Sequence, residues 1–160
     1  MAELSDANKR FVDGAKSCGI DVEIRVMADS TRTAEDAARA CGCTVERIVK
    51  SLVFQGARSR KPYLLLVSGP NRVSEKGVAT TIGEPLARPD ADFVRETTGY
   101  AIGGIPPLAH KTPLTTYMDR DLLAFETVWA AAGTPKAVFE VSPATLRGAA
   151  GAEVIDVTGG

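Results

Sequence analysis

The chain has 160 residues, of which 44% are hydrophobic and 24% are charged, a composition typical of globular proteins. Its formal net charge of −1 excludes a protein that binds nucleic acid through an overall basic field. Any contact with nucleic acid must therefore be local. The longest aliphatic run, from Tyr63 to Val67, is too short to cross a bilayer.

The N-terminal sequence MAELSDANKR is charged and lacks the apolar stretch of a signal peptide, which predicts a cytoplasmic protein. The chain has 3 cysteines, and this odd number agrees with a reducing compartment. Cys41 and Cys43 flank Gly42, but there is no second pair of cysteines or histidines to complete a zinc site. We therefore expect no metal and no other cofactor, and we interpret the cysteines as small buried hydrophobic residues.

Cap and stop residues predict two helices in the first part of the chain. Ser5 can cap a helix over residues 6–18, which Gly19 ends. Thr33 can cap a second helix, which Gly42 ends. Alternating or β-branched runs predict strands over residues 22–28, 48–54 and 62–69.

The second part of the chain predicts three more helices. Asn71 is the predicted cap of a helix over residues 71–83, a short helix covers residues 90–99, and Ser142 followed by proline opens the last one. Further strands are predicted over residues 114–123, 126–133, 136–141 and 153–158. Strands outnumber helices and tight turns join several of them, so we predict an α+β fold with a mixed sheet, in one domain spanning residues 1–160.

The predicted strand IVKSLVF, residues 48–54, contains one unexpected residue. Side chains alternate along a strand, so Lys50 shares a face with Ile48, Leu52 and Phe54. An ammonium group on the more apolar face predicts either a functional lysine or a lysine at the strand end, with its stem on apolar residues and its head in solvent.

The segment GYAIGGIPPLAHK, residues 99–111, is the other unusual stretch. Gly103 and Gly104 allow backbone angles that other residues avoid, whereas Pro106 and Pro107 fix the backbone and lack an N–H. We expect a stiff loop whose free amides come from Gly103, Gly104 and Ile105. Such a loop can bind a small zwitterion, with carbonyls for an ammonium group and amides for a developing oxyanion. The alternative is a simple turn between two strands.

These two motifs, in this order, resemble the YbaK/ProX family, the free-standing relatives of the editing domain inserted in bacterial prolyl-tRNA synthetases. The family hallmark is a lysine on a strand and a downstream Gly-x-x-x-Pro loop, which correspond here to Lys50 and residues 103–107. The likeness also includes STRTAEDAARACGC and DRDLLAFETVWAAAG, so it covers nearly the whole chain. The resemblance implies a mixed, barrel-like sheet flanked by helices, and hydrolysis of mischarged aminoacyl-tRNA.

The resemblance also implies roles for individual residues. Lys50 would project into a pocket covered by the loop, where its charge contacts a phosphate of the tRNA 3′ end or orients the attacking water. Ser51 faces the other side of the strand by alternation, but relatives often carry a polar residue there, which implies a local role in binding. The expected catalytic residues are Lys50, Gly103 and Gly104, and the expected substrate-binding residues are Ser51, Ile105, Pro106, Pro107 and Val138.

The amino acid and the tRNA contacts are predicted less directly than the catalytic residues. The cysteine-handling branch of the family carries a carboxylate at the position aligned with Val138, so an apolar residue there implies a small aliphatic substrate such as alanine or 2-aminobutyrate. Scattered basic residues, which are usually only solvated, are the available phosphate contacts: Arg58, Arg60, Lys61, Arg72, Lys76 and Lys111.

Two functions stay open at this point. The first is a trans-editing deacylase that acts on the 3′ acceptor end of mischarged aminoacyl-tRNA, with tRNA(Pro) and prolyl-tRNA synthetase as the expected partners and no contact with DNA or membrane. The second is a non-catalytic binder of the acceptor end or of a synthetase. His110, the only histidine, is expected at the surface rather than as a general base.

Overall fold

The computed structural model describes residues 4–28, 31 and 33–158. The first three residues of the N-terminal stretch and two residues of the STRTAEDAARACGC motif therefore lie outside the described part. The helices are α1 (Asp6–Ser17), α2 (Ala34–Cys41), α3 (Glu75–Ile82), α4 (Ala91–Thr98) and α5 (Pro143–Ala150). The strands are β1 (Arg25–Val26), β2 (Val49–Gly56), β3 (Pro62–Ser68), β4 (Leu86–Ala87), β5 (Thr115–Asp119), β6 (Val128–Ala131), β7 (Ala137–Val141) and β8 (Glu153–Ile155).

Side-chain caps explain where most of the helices begin. Ser5, Thr33, Asp90 and Ser142 each accept a hydrogen bond from a backbone N–H in the first turn of the helix that follows. The caps predicted at Ser5, Thr33 and Ser142 are confirmed, and the short helix predicted over residues 90–99 is α4, for which the sequence analysis named no cap.

Several local predictions need correction. The strand predicted over residues 114–123 ends at Asp119, and Arg120–Ala124 form a short 3₁₀ helix instead. The third helix begins at Glu75, capped by Ser74, whose side chain accepts from the N–H of Gly77. Asn71 lies before the helix, and its Nδ2 donates to two aspartates. The strand predicted over residues 22–28 is only Arg25–Val26, which pairs with β7 alone. Cys18 is exposed, so it is not the small buried hydrophobic residue that we expected.

The strands form two sheets. The larger one has the order β4-β2-β3-β5-β8, in which β5 runs parallel to both β3 and β8 while the other pairs are antiparallel. The smaller one has the antiparallel order β1-β7-β6. Among the described residues, an isolated parallel bridge between Ile48 and Trp129 joins them. The mixed sheet with flanking helices is confirmed, but the described strands do not close into a barrel.

The central strand β3 is buried on both faces. Leu64 and Leu66 belong to the core that contains α1, whereas Leu65 and Val67 pack into a second cluster on the opposite side. This double burial explains why the sequence of β3 is a continuous aliphatic run rather than an alternating one. Over the described residues, none of the helices combines the length and the apolar character needed to span a membrane.

Candidate functional site

A cavity of about 700 Å³ lies along one edge of β2. On its other edge β2 pairs with β3 from Val49 to Gln55, but on the cavity side β4 pairs only with Gln55 and Gly56. In the described part of the chain, residues 49–54 therefore have no strand partner on that side. The remaining walls come from α2, α4, the loop after α4, and strands β6 and β7.

The open edge of β2 gives two neighbouring side chains access to the same cavity. Lys50 and Ser51 point to opposite faces of the strand, yet both line the cavity, together with Ile48, Val49 and Leu52. A cavity that runs along a strand edge can be reached from both faces. The face alternation predicted from the sequence therefore does not separate Lys50 from Ser51.

Lys50 is half-buried, and its Nζ donates a hydrogen bond to the backbone carbonyl oxygen of Asn71 at 2.6 Å. Burial lowers the pKa of Lys50 below its usual range, because the ammonium form loses solvation. The carboxylates of Glu35 and Asp119 oppose this effect on the pKa, whereas the nearby Arg72 adds to it. Lys50 is thus a partly desolvated cation with one fixed partner.

The hydroxyl of Ser51 is buried and has no hydrogen-bond partner among the residues that the structure describes. Buried polar groups are normally paired, and an unpaired one is costly. A hydroxyl in this state at the wall of a cavity is well suited to pair with a bound polar group.

The loop of residues 99–111 contributes only part of its sequence to the cavity. Gly103, with φ 96°, and Ile105 line the cavity, whereas Gly104, Pro106 and Pro107 do not and are buried behind it. Glycine at position 103 satisfies a positive φ that other residues rarely adopt. Of the five predicted loop residues, two therefore face the cavity and three support it.

Gly104 has a packing role rather than an open amide. Its N–H donates to the carbonyl of Ala101 at 3.1 Å, and its carbonyl accepts from the N–H of Gly133 at 3.0 Å. A Cβ at this position would lie 2.6 Å from Cα of Thr134. The expected set of three free amides is therefore reduced to those of Gly103 and Ile105, which donate to no other backbone group within the described ranges.

His110 is only partly exposed, whereas we expected it at the surface, and its ring is turned toward the loop. Its Nε2 donates to the carbonyl oxygen of Pro106 at 2.7 Å, so the imidazole closes the loop on itself. Burial lowers the pKa of His110, and the hydrogen bond to Pro106 only partly opposes this. His110 does not line the cavity and acts as a brace for the two prolines.

Apolar side chains form another wall of the cavity. Val138 on β7 is 2% exposed and packs with Ile48 and Trp129 and with small residues of α2. Ala34 and Ala37 of α2 and Ala130 and Ala131 of β6 line the same cavity. The position aligned with a carboxylate in one branch of the family is thus part of a small-residue, apolar wall.

The sequence reasoning missed two residues close to Lys50. Asn71 supplies the carbonyl that binds Lys50, and the buried carboxylate of Asp119 accepts from the side-chain amide of Asn71 at 2.8 Å. The available signals were the turn sequence SGPN after a buried strand and an aspartate in the otherwise apolar end of β5.

Comparison with known proteins agrees with this geometry. The model of the aminoacyl-tRNA editing domain family matches residues 28–149. The chain therefore belongs to the aminoacyl-tRNA editing domain family, and the resemblance to the YbaK/ProX family is confirmed.

Individual relatives cover most of the chain. A crystal structure of a candidate trans-editing enzyme for prolyl-tRNA synthetase is 44% identical, covers 97% of this chain and 98% of its own, and superposes with a TM-score of 0.91. The structure of hypothetical protein APE2540 is 31% identical over 92% of this chain and 98% of its own, with a TM-score of 0.84. The uncharacterized protein YwhH of Bacillus subtilis (strain 168) is 32% identical over 117 residues, which are 73% of this chain and 74% of that protein.

The packing of Gly104 gives a stability prediction. Replacing Gly104 with alanine forces a Cβ against the backbone of Thr134, which cannot move aside as a flexible side chain can. We expect Gly104→Ala to lower the free energy of unfolding by about 1–3 kcal/mol in urea denaturation. Gly148→Ala is the matched control, because Gly148 is in α5 and a Cβ there meets no atom within 4 Å. The control should raise stability by about 0.5–1 kcal/mol, and equal effects of the two variants would contradict this account of the loop.

His110 gives a pH prediction. An unfolded histidine has a pKa of about 6.5, and the pKa of His110 in the folded chain is lower, so below that pH the unfolded chain binds a proton that the folded chain does not. We expect the free energy of unfolding to fall as the pH decreases from about 7 to 5.5. In His110→Gln, which keeps a donor for Pro106 without titrating, this fall should disappear. An unchanged pH slope in the variant would show that His110 is not the group responsible.

Proposed function

We propose that this protein is a trans-editing hydrolase that deacylates mischarged aminoacyl-tRNA. The observation that carries the proposal is the cavity itself, which has Lys50 on one wall and the backbone of Gly103 and Ile105 on another. A fixed cation and backbone donors around a cavity that also has an apolar wall suit an ester that is already activated. Such a reaction needs positioned water and charge stabilisation more than a strong nucleophile.

In the proposed reaction, water attacks the carbonyl carbon of the aminoacyl ester. The bond from that carbon to the ribose oxygen breaks, the ribose oxygen takes up a proton, and the free amino acid and tRNA leave. The N–H groups of Gly103 and Ile105 stabilise the oxyanion, whereas the N–H of Gly104, which the sequence also predicts for this role, donates to Ala101. Lys50 either contacts a phosphate of the 3′ end or orients the attacking water, and Ser51 pairs with a polar group of the substrate.

We propose alanine or 2-aminobutyrate as the amino acid and tRNA(Pro) as the carrier. The apolar wall around Val138 supports a small aliphatic side chain, because a charged or polar one would lose its solvation there without a partner. The cavity is larger than such a side chain requires, which leaves space for the ribose and terminal base of the tRNA. The similarity to a candidate trans-editing enzyme for prolyl-tRNA synthetase supports the choice of tRNA.

The proposal also covers where the protein acts and how it contacts tRNA. A single domain over residues 1–160 would act in the cytoplasm, alone or with prolyl-tRNA synthetase. The basic residues around the cavity and on the β2–β3 hairpin would contact tRNA phosphates locally, because the net charge of −1 provides no general attraction. Pro106 and Pro107 would serve the substrate indirectly, by fixing the loop that carries Gly103 and Ile105.

The first experiment measures hydrolysis of tRNA(Pro) charged with alanine, 2-aminobutyrate, cysteine or proline. We expect the alanyl and 2-aminobutyryl esters to be hydrolysed fastest and the prolyl ester to be spared. Binding of the charged tRNAs without hydrolysis of any of them would favour the non-catalytic binder instead.

A second prediction concerns Lys50. Replacing it with alanine removes the cation from the cavity, so Lys50→Ala should lower single-turnover deacylation by about 10²-fold or more while the protein still melts cooperatively. Lys50→Arg keeps the charge with a different shape and should retain part of the activity. Lys9→Ala, at an exposed position of α1 that does not line the cavity, is the control and should leave deacylation unchanged. Full activity in Lys50→Ala would remove Lys50 from the mechanism.

A third prediction concerns Val138. Because this residue is almost fully buried, a carboxylate there would endanger folding, and Val138→Ala is the sharper test. The larger pocket should favour the larger substrate. Relative to wild type, the rate of 2-aminobutyryl ester hydrolysis divided by that of alanyl ester hydrolysis should rise by about tenfold, the effect of one methylene in an apolar site. Val78→Ala is the matched control, since Val78 is fully buried but does not line the cavity. If the ratio of the two hydrolysis rates is the same in Val138→Ala and Val78→Ala, Val138 does not select the substrate.

A further inference from the structure

The turn that follows β3 is bound directly to Lys50. The N–H of Asn71 donates to the carbonyl of Ser68 at 2.9 Å, which closes the turn over Gly69 and Pro70. The carbonyl of Asn71 then accepts from Nζ of Lys50 at 2.6 Å. The position of the ammonium group in the cavity therefore depends on the position of this turn.

A buried carboxylate holds both ends of the same turn. Asp119, at the end of β5, is 1% exposed. Its Oδ2 accepts from the N–H of Ser68 at 3.0 Å and from Nδ2 of Asn71 at 2.8 Å. Its Oδ1 accepts from the N–H of Asp121 at 3.0 Å, which caps the short 3₁₀ turn after β5. Both oxygens are thus hydrogen-bonded, and two of the three donors among the described residues belong to the turn.

Further contacts prevent the turn from shifting. The hydroxyl of Ser68 donates to the carbonyl of Glu46 at 2.6 Å, and Nδ2 of Asn71 also donates to Oδ2 of Asp121 at 2.8 Å. Gly69 packs so closely on the backbone of Val45 that a Cβ would not fit. A lysine side chain has four flexible carbons, so a rigid acceptor at its end is an effective way to fix its ammonium group.

We propose that Asp119 is a positioning residue, which holds the Asn71 carbonyl in place and thereby fixes Lys50 in the cavity. The link to deacylation rests on the proposed function, but the effect on Lys50 does not. The competing explanation is that Asp119 only stabilises the fold at the end of β5.

Asp119→Asn separates the two roles of the carboxylate. The asparagine keeps Oδ1 as the acceptor for Asp121, but its amide nitrogen faces the two donors of Ser68 and Asn71. Asn71→Ala is the second variant, because it removes the link to Asp119 and keeps the backbone carbonyl. Asp13→Asn, on the exposed side of α1, is the matched control.

The first measurement needs no tRNA. Each folded protein is treated briefly with acetic anhydride, and mass spectrometry gives the acetylation rate of Lys50 relative to the exposed Lys61 in the same sample. A hydrogen-bonded, half-buried ammonium group reacts slowly. We expect the Lys50 rate to rise about 2- to 12-fold in Asp119→Asn and Asn71→Ala, the range that corresponds to the net loss of one hydrogen bond, and not in Asp13→Asn.

The second measurement is single-turnover deacylation of alanyl-tRNA(Pro), which should fall between about tenfold and 10²-fold in the same two variants. An unchanged acetylation rate of Lys50 in both variants overturns the proposal, even where deacylation falls. Faster acetylation with unchanged deacylation in an active enzyme overturns it as well. If the wild-type protein has no deacylase activity but acetylation responds as expected, the proposed function is wrong and the positioning of Lys50 by Asp119 stands.

Discussion

The half-buried ammonium group of Lys50 imposes the main constraint on this structure. A cation taken partly out of water needs a partner, and here the partner is a backbone carbonyl rather than a carboxylate. A neutral acceptor leaves the positive charge of Lys50 available to the cavity, whereas a direct ion pair with a carboxylate would neutralise it. The nearest buried carboxylate, Asp119, is kept one step away by Asn71. The unpaired edge of β2, the turn after β3 and the end of β5 all meet at this arrangement.

The loop after α4 divides its residues between two tasks. Gly103 and Ile105 face the cavity, while Gly104, the two prolines and His110 form the support behind them. The support is rigid because the backbone of Gly104 is bonded on both sides, to Ala101 and to Gly133. Catalytic donors work best when they are fixed before the substrate arrives, since no free energy is then lost in arranging them. A loop braced in this way would hold the proposed donors of Gly103 and Ile105 in place.

The two sheets contribute different chemistry to the same cavity. The larger sheet provides the polar groups of Lys50 and Ser51 at the open edge of β2, and the smaller sheet provides the apolar wall that contains Val138. The isolated bridge between Ile48 and Trp129 is where these two surfaces meet. A substrate with a charged end and a small apolar side chain fits between surfaces of this kind.

The sequence by itself determined the features that depend on neighbouring residues. The caps at Ser5, Thr33, Asp90 and Ser142 are hydrogen bonds across three residues or fewer, so their pattern can be read from the chain. The same holds for the buried run of β3, whose composition reports burial on both faces. The unusual lysine and the glycine–proline loop could also be recognised, because their residue types depart from what a plain strand and turn require.

Only the tertiary structure decided how these parts act together. Lys50 and Asn71 are 21 residues apart, Asn71 and Asp119 are 48 apart, and nothing local in the sequence connects them. The predicted Asn71 cap was wrong for a related reason, since Nδ2 of Asn71 donates to two distant aspartates and Ser74 caps the helix. The sequence predicts a free N–H at Gly104, but in the folded chain Gly104 is hydrogen-bonded to Gly133 and packs against the backbone of Thr134. Contacts of this kind form only when the chain is folded, because distant backbone and side-chain groups must then satisfy one another in a space that excludes water.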